Sequence, residues 1–190
     1  AWLGVVPFLM SGVRPRGLPS VPWLSAFPEL NVRTYVTTGG KPGVWFFSLD
    51  AGNPVAVRLA RGLFHLPYLD AHFTLAWHAE TMGYRSRRTH HGSPHAALDV
   101  SYGPAGPLTL APSGSLDAFL TERYCLYSAD GHGRLYRGEI HHPRWPLRPA
   151  HCELRANTMA SAAGIALPDQ APLVHYAERL DVLVWPLRPV

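Results

Sequence analysis

Lysine, cysteine and long apolar runs are all scarce in this sequence, and each scarcity excludes a class of protein. Lys41 is the only lysine among 17 basic residues, and the arginines are scattered apart from Arg85-Ser86-Arg87-Arg88. Because nucleic-acid-binding surfaces cluster their positive charge in a patch or stripe, the net charge of +4 does not predict nucleic acid binding. No apolar run approaches the roughly 18 to 20 residues of a membrane span, so we predict a soluble protein without a membrane partner.

The two cysteines, Cys125 and Cys152, have no partner motif near them. Two thiols are too few for a disulfide framework or a cysteine-based zinc site. A reducing compartment is the ordinary place for such a protein, so we predict a cytoplasmic location.

Proline and glycine are abundant and evenly spread, with 19 prolines and 17 glycines in 190 residues. They divide the chain into short segments, which favours many short strands over long helices. We predict a single domain over residues 1–190, mainly β, with about nine antiparallel strands and two or three short helices. Hairpins at this spacing indicate a closed or partly closed β-barrel.

Residues 29–37 form the strand on which the prediction of a site depends. Side chains alternate between the two faces of a strand, so Leu30, Val32, Thr34 and Val36 face one way. The opposite face carries Glu29, Asn31, Arg33 and Tyr35.

The rest of the chain divides as follows. We predict a strand buried on both faces over residues 2–10, a loop over 11–28 that Trp23, Leu24 and Phe27 hold in place, a hairpin loop containing Lys41 over 38–43, and a strand over 44–49. A helix follows over 55–64, with Asn53 as its N-cap, Pro54 at its start, and Val55, Leu59 and Leu63 on one face. The remaining predicted elements are strands near 71–79, 82–89 and 95–102, a helix capped by Ser115 over 116–122, a hairpin of 123–129 with 134–142, a segment ambiguous between strand and helix over 151–163, and a last strand over 173–185.

Inside a barrel, the four polar residues of strand 29–37 would bind a carboxylate or carbonyl group, with Arg33 as a bidentate hydrogen-bond donor. The alternative is that Arg33 pairs with Glu29 or Asp50 and braces the fold, because a buried charge needs a partner.

Other polar residues are candidates for the same pocket. Tyr68 suits a pocket floor or a general acid, or else it is a structural tyrosine. His65 and His72 flank it, and each is a candidate base near neutral pH, or else an incidental residue among the eleven histidines. Arg123 is a candidate anion ligand, or it forms a salt bridge with Glu122, Asp50 or Asp70.

Histidine pairs raise the question of a metal site. Neighbouring histidines such as His141-His142 point to opposite faces of a strand, and Gly92-Ser93-Pro94 prevents the helix that would align His91 with His95. No carboxylate or cysteine completes a ligand set, so no metal and no other cofactor is predicted.

Several long motifs resemble the DUF2071 family, also called YqjF-like, over nearly the whole chain. They are Phe27-x-Glu29-x-Asn31-Val32-Arg33-Thr34-Tyr35-Val36, Gly43-Val44-x-Phe46-Phe47-Ser48-Leu49-Asp50, Leu66-Pro67-Tyr68, Ser115-Leu116-x-x-Phe119-Leu120-Thr121-Glu122-Arg123-Tyr124 and His142-x-x-Trp145-Pro146-Leu147. The resemblance implies the acetoacetate decarboxylase-like fold, a cone-shaped antiparallel barrel with an internal pocket. It also implies that an N-terminal part of the family domain is absent from this chain.

The decarboxylases of that fold form an imine between a lysine and a keto acid. The resemblance places Tyr68 and Leu69 where their lysine pair would stand, and Glu29 looks like the counterpart of their pocket glutamate. With Lys41 in a hairpin loop, decarboxylation through an imine is not predicted.

Three functions remain open. The first is an uncharacterised small-molecule-binding barrel whose partner is an acidic or carbonyl-bearing ligand. The second is an enzyme that uses Glu29 or His65 as a base and Arg33 to stabilise negative charge, which requires a raised Glu29 pKa. The third is a structural module whose barrel is filled by side chains. Assembly into a homo-oligomer is compatible with all three.

Overall fold

The computed structural model describes residues 1–14, 17, 19 and 24–190. Trp23 of the predicted 11–28 loop lies outside the described residues. The elements are β1 (Leu3–Met10), β2 (Phe27–Thr38), β3 (Lys41–Ala51), α1 (Pro54–Phe64), β4 (Tyr68–His78), β5 (Thr81–Arg88), β6 (Ala97–Pro104), β7 (Thr109–Leu110), α2 (Leu116–Thr121), β8 (Cys125–Ala129), β9 (Leu135–His141), β10 (Pro146–Asn157), α3 (Met159–Ala162), β11 (His175–Ala177), β12 (Leu183–Val184) and β13 (Arg188–Pro189).

The strands join in one sheet with the order β11-β10-β6-β5-β4-β3-β8-β9-β12, and β1-β2 branches from β3. The mainly β architecture with short helices is therefore confirmed. The prediction that all strands are antiparallel is wrong, because β3 pairs in parallel with β4 and with β8. Within the described residues the pairing does not join β11 to β12, so closure into a barrel stays a prediction.

The β2–β3 hairpin turns on two glycines rather than on the longer predicted loop. Gly39 and Gly40 have φ of 58° and 76°, the left-handed conformation that a two-residue hairpin turn needs and glycine adopts without strain. The prediction that Lys41 lies in the loop is wrong, because Lys41 pairs with Thr38 as the first residue of β3. Its ammonium group forms an ion pair with Glu139.

Helix α1 begins as predicted. The Asn53 side chain accepts hydrogen bonds from the backbone N–H groups of Val55 and Ala56 at 3.0 and 3.1 Å, and Pro54 occupies the first turn. The predicted apolar face is exposed: Val55, Leu59 and Leu63 are 42%, 51% and 66% accessible. The helix instead buries Val57 against Phe27 and Ala51.

Two other expectations differ from the structure. Strand β1 is mostly half-buried rather than buried on both faces, because it pairs only with β2 and forms an edge. The predicted strand 173–185 is two short strands, β11 and β12, and Arg179 and Asp181 form an ion pair in the connection between them.

Strand β2 separates two apolar clusters. On one face Leu30 and Val32 pack with Tyr84, Leu98 and Val100 of β5 and β6. On the other face Tyr35 packs against the cluster of Val44, Leu49, Leu66 and Leu126. The polar residues of β2 are therefore held by a strand that is covered on both sides.

A buried ion pair lies on the same side of the sheet as Leu30 of β2. Arg88 of β5 binds both carboxylate oxygens of Asp50, at 2.8 to 3.2 Å, and the Ser48 hydroxyl at 3.1 Å. Burial raises the pKa of Asp50, and the Arg88 guanidinium opposes that rise. Since a buried charge needs a partner, this pair fixes how β5 packs on β3.

Candidate functional site

The polar face of β2, formed by Glu29, Asn31, Arg33 and Tyr35, is joined by Tyr68 from β4. Asn31 lies opposite Leu49 of β3, and Leu49 pairs with Tyr68 of the parallel strand β4. This register brings the Tyr68 hydroxyl to Glu29, where it donates a 3.1 Å hydrogen bond to Oε2. The structure therefore places two of the predicted site residues, Glu29 and Tyr68, in direct contact.

Glu29 is only 2% exposed, and no basic side chain of the described residues forms an ion pair with it. Burial raises the pKa of Glu29 to about 8, although the bond from Tyr68 opposes the rise. Burial, followed by the charge of Glu29, also raises the pKa of Tyr68 well above its usual value. At neutral pH the two groups therefore form a neutral hydrogen-bonded pair, and Glu29 can gain or lose a proton near pH 8.

Asn31 lies next to Glu29 on the same face and is buried. Its Oδ1 atom has no hydrogen-bond partner within the described part of the chain. A buried amide oxygen without a partner costs free energy, and a ligand donor bound to it would remove that cost.

Arg33 and Arg123 converge on Tyr35 from different elements. Their Cζ atoms lie 5.9 and 5.7 Å from the centre of the Tyr35 ring. Arg123 also lies over Phe119 of α2 at 4.2 Å, and Arg33 lies 5.8 Å from the Trp145 ring. Each guanidinium thus rests on aromatic faces, which hold a cation without neutralising it.

Neither arginine forms an ion pair within the described residues. Among the residues that the structure describes, Arg33 donates only to the Leu120 carbonyl at 3.5 Å and Arg123 only to the Glu122 carbonyl at 3.4 Å. Both Nε atoms and the Trp145 indole nitrogen are buried and have no hydrogen-bond partner in this part of the chain. Burial lowers the pKa of Arg123, and the charge of Arg33 adds to this effect. The cluster is rich in donors and poor in acceptors, as an anion site requires.

The alternative in which Arg33 braces the fold through Glu29 or Asp50 is therefore wrong, because Asp50 is held by Arg88. The salt bridges considered for Arg123 are also absent from the described residues. Asp70 binds Arg58 and His90, and the Glu122 carboxylate accepts the Tyr124 hydroxyl. Sequence reasoning missed the part played by Trp145, although it stands in one of the long family motifs.

The histidines predicted to flank Tyr68 lie elsewhere. His65 packs against Tyr136, with the ring centres 5.0 Å apart and the ring planes tilted by 42°, and it lines a cavity of about 290 Å³ with Trp45 and Phe46. His72 lines a second cavity of about 290 Å³ with Thr74 and Arg85. Neither cavity is lined by residues of the polar face of β2 or by Tyr68.

Within residues 1–14, 17, 19 and 24–190, no group of three or more histidine, cysteine, aspartate or glutamate side chains is placed to hold a metal ion. Over the same residues, no helix combines the length and apolar character needed to cross a membrane.

Comparison with known proteins places this geometry in a family. The chain is 46% identical over 188 residues to the uncharacterized protein YqjF of Bacillus subtilis (strain 168), a match covering 99% of this chain and 76% of YqjF. Its fold is similar to an acetoacetate decarboxylase from Legionella pneumophila, with a TM-score of 0.56 at 13% identity over 99% of this chain and 84% of that one. It is also similar to the enduracididine biosynthesis enzyme MppR complexed with pyruvate, with a TM-score of 0.51 at 12% identity over 87% of this chain and 66% of that one.

The identities of 13% and 12% to the two solved structures show a shared fold and nothing about activity. The family assignment rests instead on residues 1–181, which match the model of DUF2071, described as an uncharacterized conserved protein. Together with the long match to YqjF, this confirms the resemblance of the motifs: the chain belongs to the DUF2071 family and has an acetoacetate decarboxylase-like fold.

Proposed function

We propose that this domain binds a small acidic or carbonyl-bearing molecule against the polar face of β2, within a cone-shaped barrel whose strands are mostly antiparallel. The observation that carries the proposal is the pair Arg33 and Arg123, two guanidinium groups near one tyrosine ring with no acidic partner among the described residues. Two neighbouring cations repel each other, and an anion between them removes that cost.

A carboxylate is the natural partner because its two oxygens match the donor geometry of a guanidinium. Further along the same face, the protonated Glu29 and the Tyr68 hydroxyl are hydrogen-bonding groups suited to a carbonyl oxygen. A keto acid carries both functional groups. The structural neighbour MppR is complexed with pyruvate, which makes a small keto acid the first class to test.

The proposed binding does not involve an imine. Tyr68 and Leu69 occupy the positions that the family resemblance assigns to a lysine pair. The ammonium of Lys41 forms an ion pair with Glu139.

A thermal-shift screen against keto acids, short carboxylic acids and aldehydes tests the proposal, because a ligand that binds only the folded state raises the melting temperature. We expect carboxylate-bearing hits whose effect is lost in Arg33→Gln and in Arg123→Gln. Arg134→Gln is the matched control, since Arg134 also lies over a tyrosine ring, 5.7 Å from the centre of Tyr136. A screen without hits would move the assignment to a barrel filled by its own side chains, and hits that survive both substitutions would show that the ligand binds away from the two arginines.

A second function, an acid–base enzyme on the same site, is favoured by the pKa of Glu29 near 8. A carboxylate at this pKa is a competent base near neutral pH, and Arg33 would stabilise the enolate formed when a proton leaves the carbon beside a ketone. The direct assay is exchange of the methyl protons of pyruvate for deuterium in D2O, followed by NMR. Catalysed exchange should rise with pH up to about 8 and disappear in Glu29→Gln. If the domain does not accelerate exchange above the uncatalysed rate, the acid–base function is excluded and ligand binding remains the proposed function.

A further inference from the structure

One edge of β3 pairs with two different strands along its length, and we call the gap between the two pairings the fork. Val44 and Trp45 pair in parallel with β8, whereas Leu49 to Ala51 pair in parallel with β4. Between these two ladders no strand of the described residues pairs with that edge of β3, and β2 occupies the other edge. The cavity of about 290 Å³ that includes His65 opens at this fork.

The walls of the fork cavity are aromatic. Trp45, Phe46, Phe47 and Tyr127 all line it. Phe46 pairs with Arg33 and Ser48 with Val32, so Phe47 is an extra residue without a partner on β2. Such a bulge redirects side chains locally, and here consecutive phenylalanines both reach the cavity. Aromatic rings placed this way offer faces and edges to another ring.

Two polar residues, His65 and Ser128, line the cavity. Ser128 is 3% exposed, yet its hydroxyl makes no hydrogen bond within the described part of the chain. His65 caps α1 in the left-handed conformation, with φ of 48°. Glycine is the usual residue at such a helix end, and a strained non-glycine residue beside a cavity is a feature of binding sites.

We infer that the fork cavity binds a small planar aromatic molecule carrying a hydroxyl or carbonyl group. The ring packs among Trp45, Phe47 and Tyr127, while the polar substituent bonds to the Ser128 hydroxyl beside His65. A dry cavity of about 150 Å³ accommodates benzene, so about 290 Å³ accommodates one substituted ring. None of its lining residues belongs to the polar face of β2, although Phe46 in its wall pairs with Arg33 across the β2–β3 ladder.

The experiment is a titration of the ¹⁵N-labelled domain with phenol and with cyclohexanol, followed through the backbone amide signals of His65 and Ser128. Cyclohexanol has the same size and hydroxyl group but no aromatic face. We expect phenol to bind and to shift both signals, with cyclohexanol bound at least several-fold more weakly. Arg123 lines neither cavity, so Arg123→Gln should leave phenol binding unchanged even where it abolishes carboxylate binding; this distinguishes failure of the present inference from failure of the anion site.

Two variants test the geometry. Ser128→Ala should weaken phenol binding about five- to tenfold, the effect of one neutral hydrogen bond, and should fold because it removes a hydroxyl that has no partner. Ala129→Phe should abolish binding by filling the cavity. Ser86→Ala is the matched control, since Ser86 is also a buried serine whose hydroxyl lacks a partner and it lines the other cavity. Absence of phenol binding, equal binding of cyclohexanol, or full binding by Ser128→Ala would each overturn the inference.

Discussion

Replacing Glu29 by glutamine should remove a pH dependence that runs opposite to that of most carboxylates. The pKa of Glu29 is raised by burial from 4.5 to about 8, so the folded state holds a proton that the unfolded state has released. Its contribution to stability is therefore complete below about pH 4.5 and is lost as the pH rises to about 8. Glutamine keeps the shape and an acceptor for Tyr68 but cannot ionise.

The size of the effect follows from linkage. At about 1.4 kcal/mol for each pH unit between the two pKa values, the loss amounts to roughly 5 kcal/mol across the interval. That is a large part of the roughly 5 to 15 kcal/mol by which domains are stable. In a domain of this size it corresponds to a shift in melting temperature on the order of 10 °C.

Urea unfolding of wild type and Glu29→Gln between pH 5 and 9 measures this difference. We expect the variant to gain stability relative to wild type as the pH rises, with little further change above about pH 8. Glu80→Gln removes an exposed carboxylate elsewhere and controls for the change in net charge. A difference between Glu29→Gln and wild type that is constant over this range would refute a raised Glu29 pKa, and with it the acid–base function.

Three further substitutions test other parts of the structure. Tyr68→Phe removes the hydrogen bond that lowers the pKa of Glu29, so a ¹³C NMR titration of the Glu29 carboxyl should show its midpoint moving to still higher pH; an unchanged midpoint would mean that the bond is not formed. Arg88→Met leaves Asp50 buried without its partner and should cost about 3 to 5 kcal/mol in urea unfolding, whereas Arg85→Met, which breaks an exposed pair with Asp99, should cost far less; equal costs would contradict the importance of the buried pair. Asn53→Ala removes the cap of α1 and should cost about 1 kcal/mol, and a cost near zero would show that the cap does not stabilise the helix.

Much of the fold was predictable because it is encoded by local patterns. The alternation along residues 29–37 assigned Leu30 and Val32 to one face of β2 and Glu29 and Arg33 to the other. The Asn53 cap and Pro54 fixed the start of α1. These features depend on side chains only a few residues apart, which a sequence displays directly.

The sequence does not show which side of each element faces the core. The apolar stripe of Val55, Leu59 and Leu63 is visible in the spacing, but the side that faces the core is set by where β3 and β4 lie, and the structure buries Val57. Likewise, nothing local distinguishes Arg33 from Arg88 as the partner of Asp50. That pairing follows from the strand order β5-β4-β3.

The candidate site was only partly predictable for the same reason. Glu29, Arg33 and Tyr35 share one strand, so their common face could be derived from period-two spacing. Arg123 and Trp145 come from the segments after α2 and before β10, and only the tertiary fold brings their side chains to Arg33 and Tyr35.

The most direct test of anion binding at the polar face of β2 is a crystal of the domain soaked in sodium bromide, with bromide located by its anomalous scattering. The account predicts a bromide ion between Arg33 and Arg123, within hydrogen-bonding distance of at least one guanidinium, and no such ion in Arg33→Gln crystals. Bromide bound at exposed arginines such as Arg134 and absent from Arg33 and Arg123 would contradict the proposed anion site.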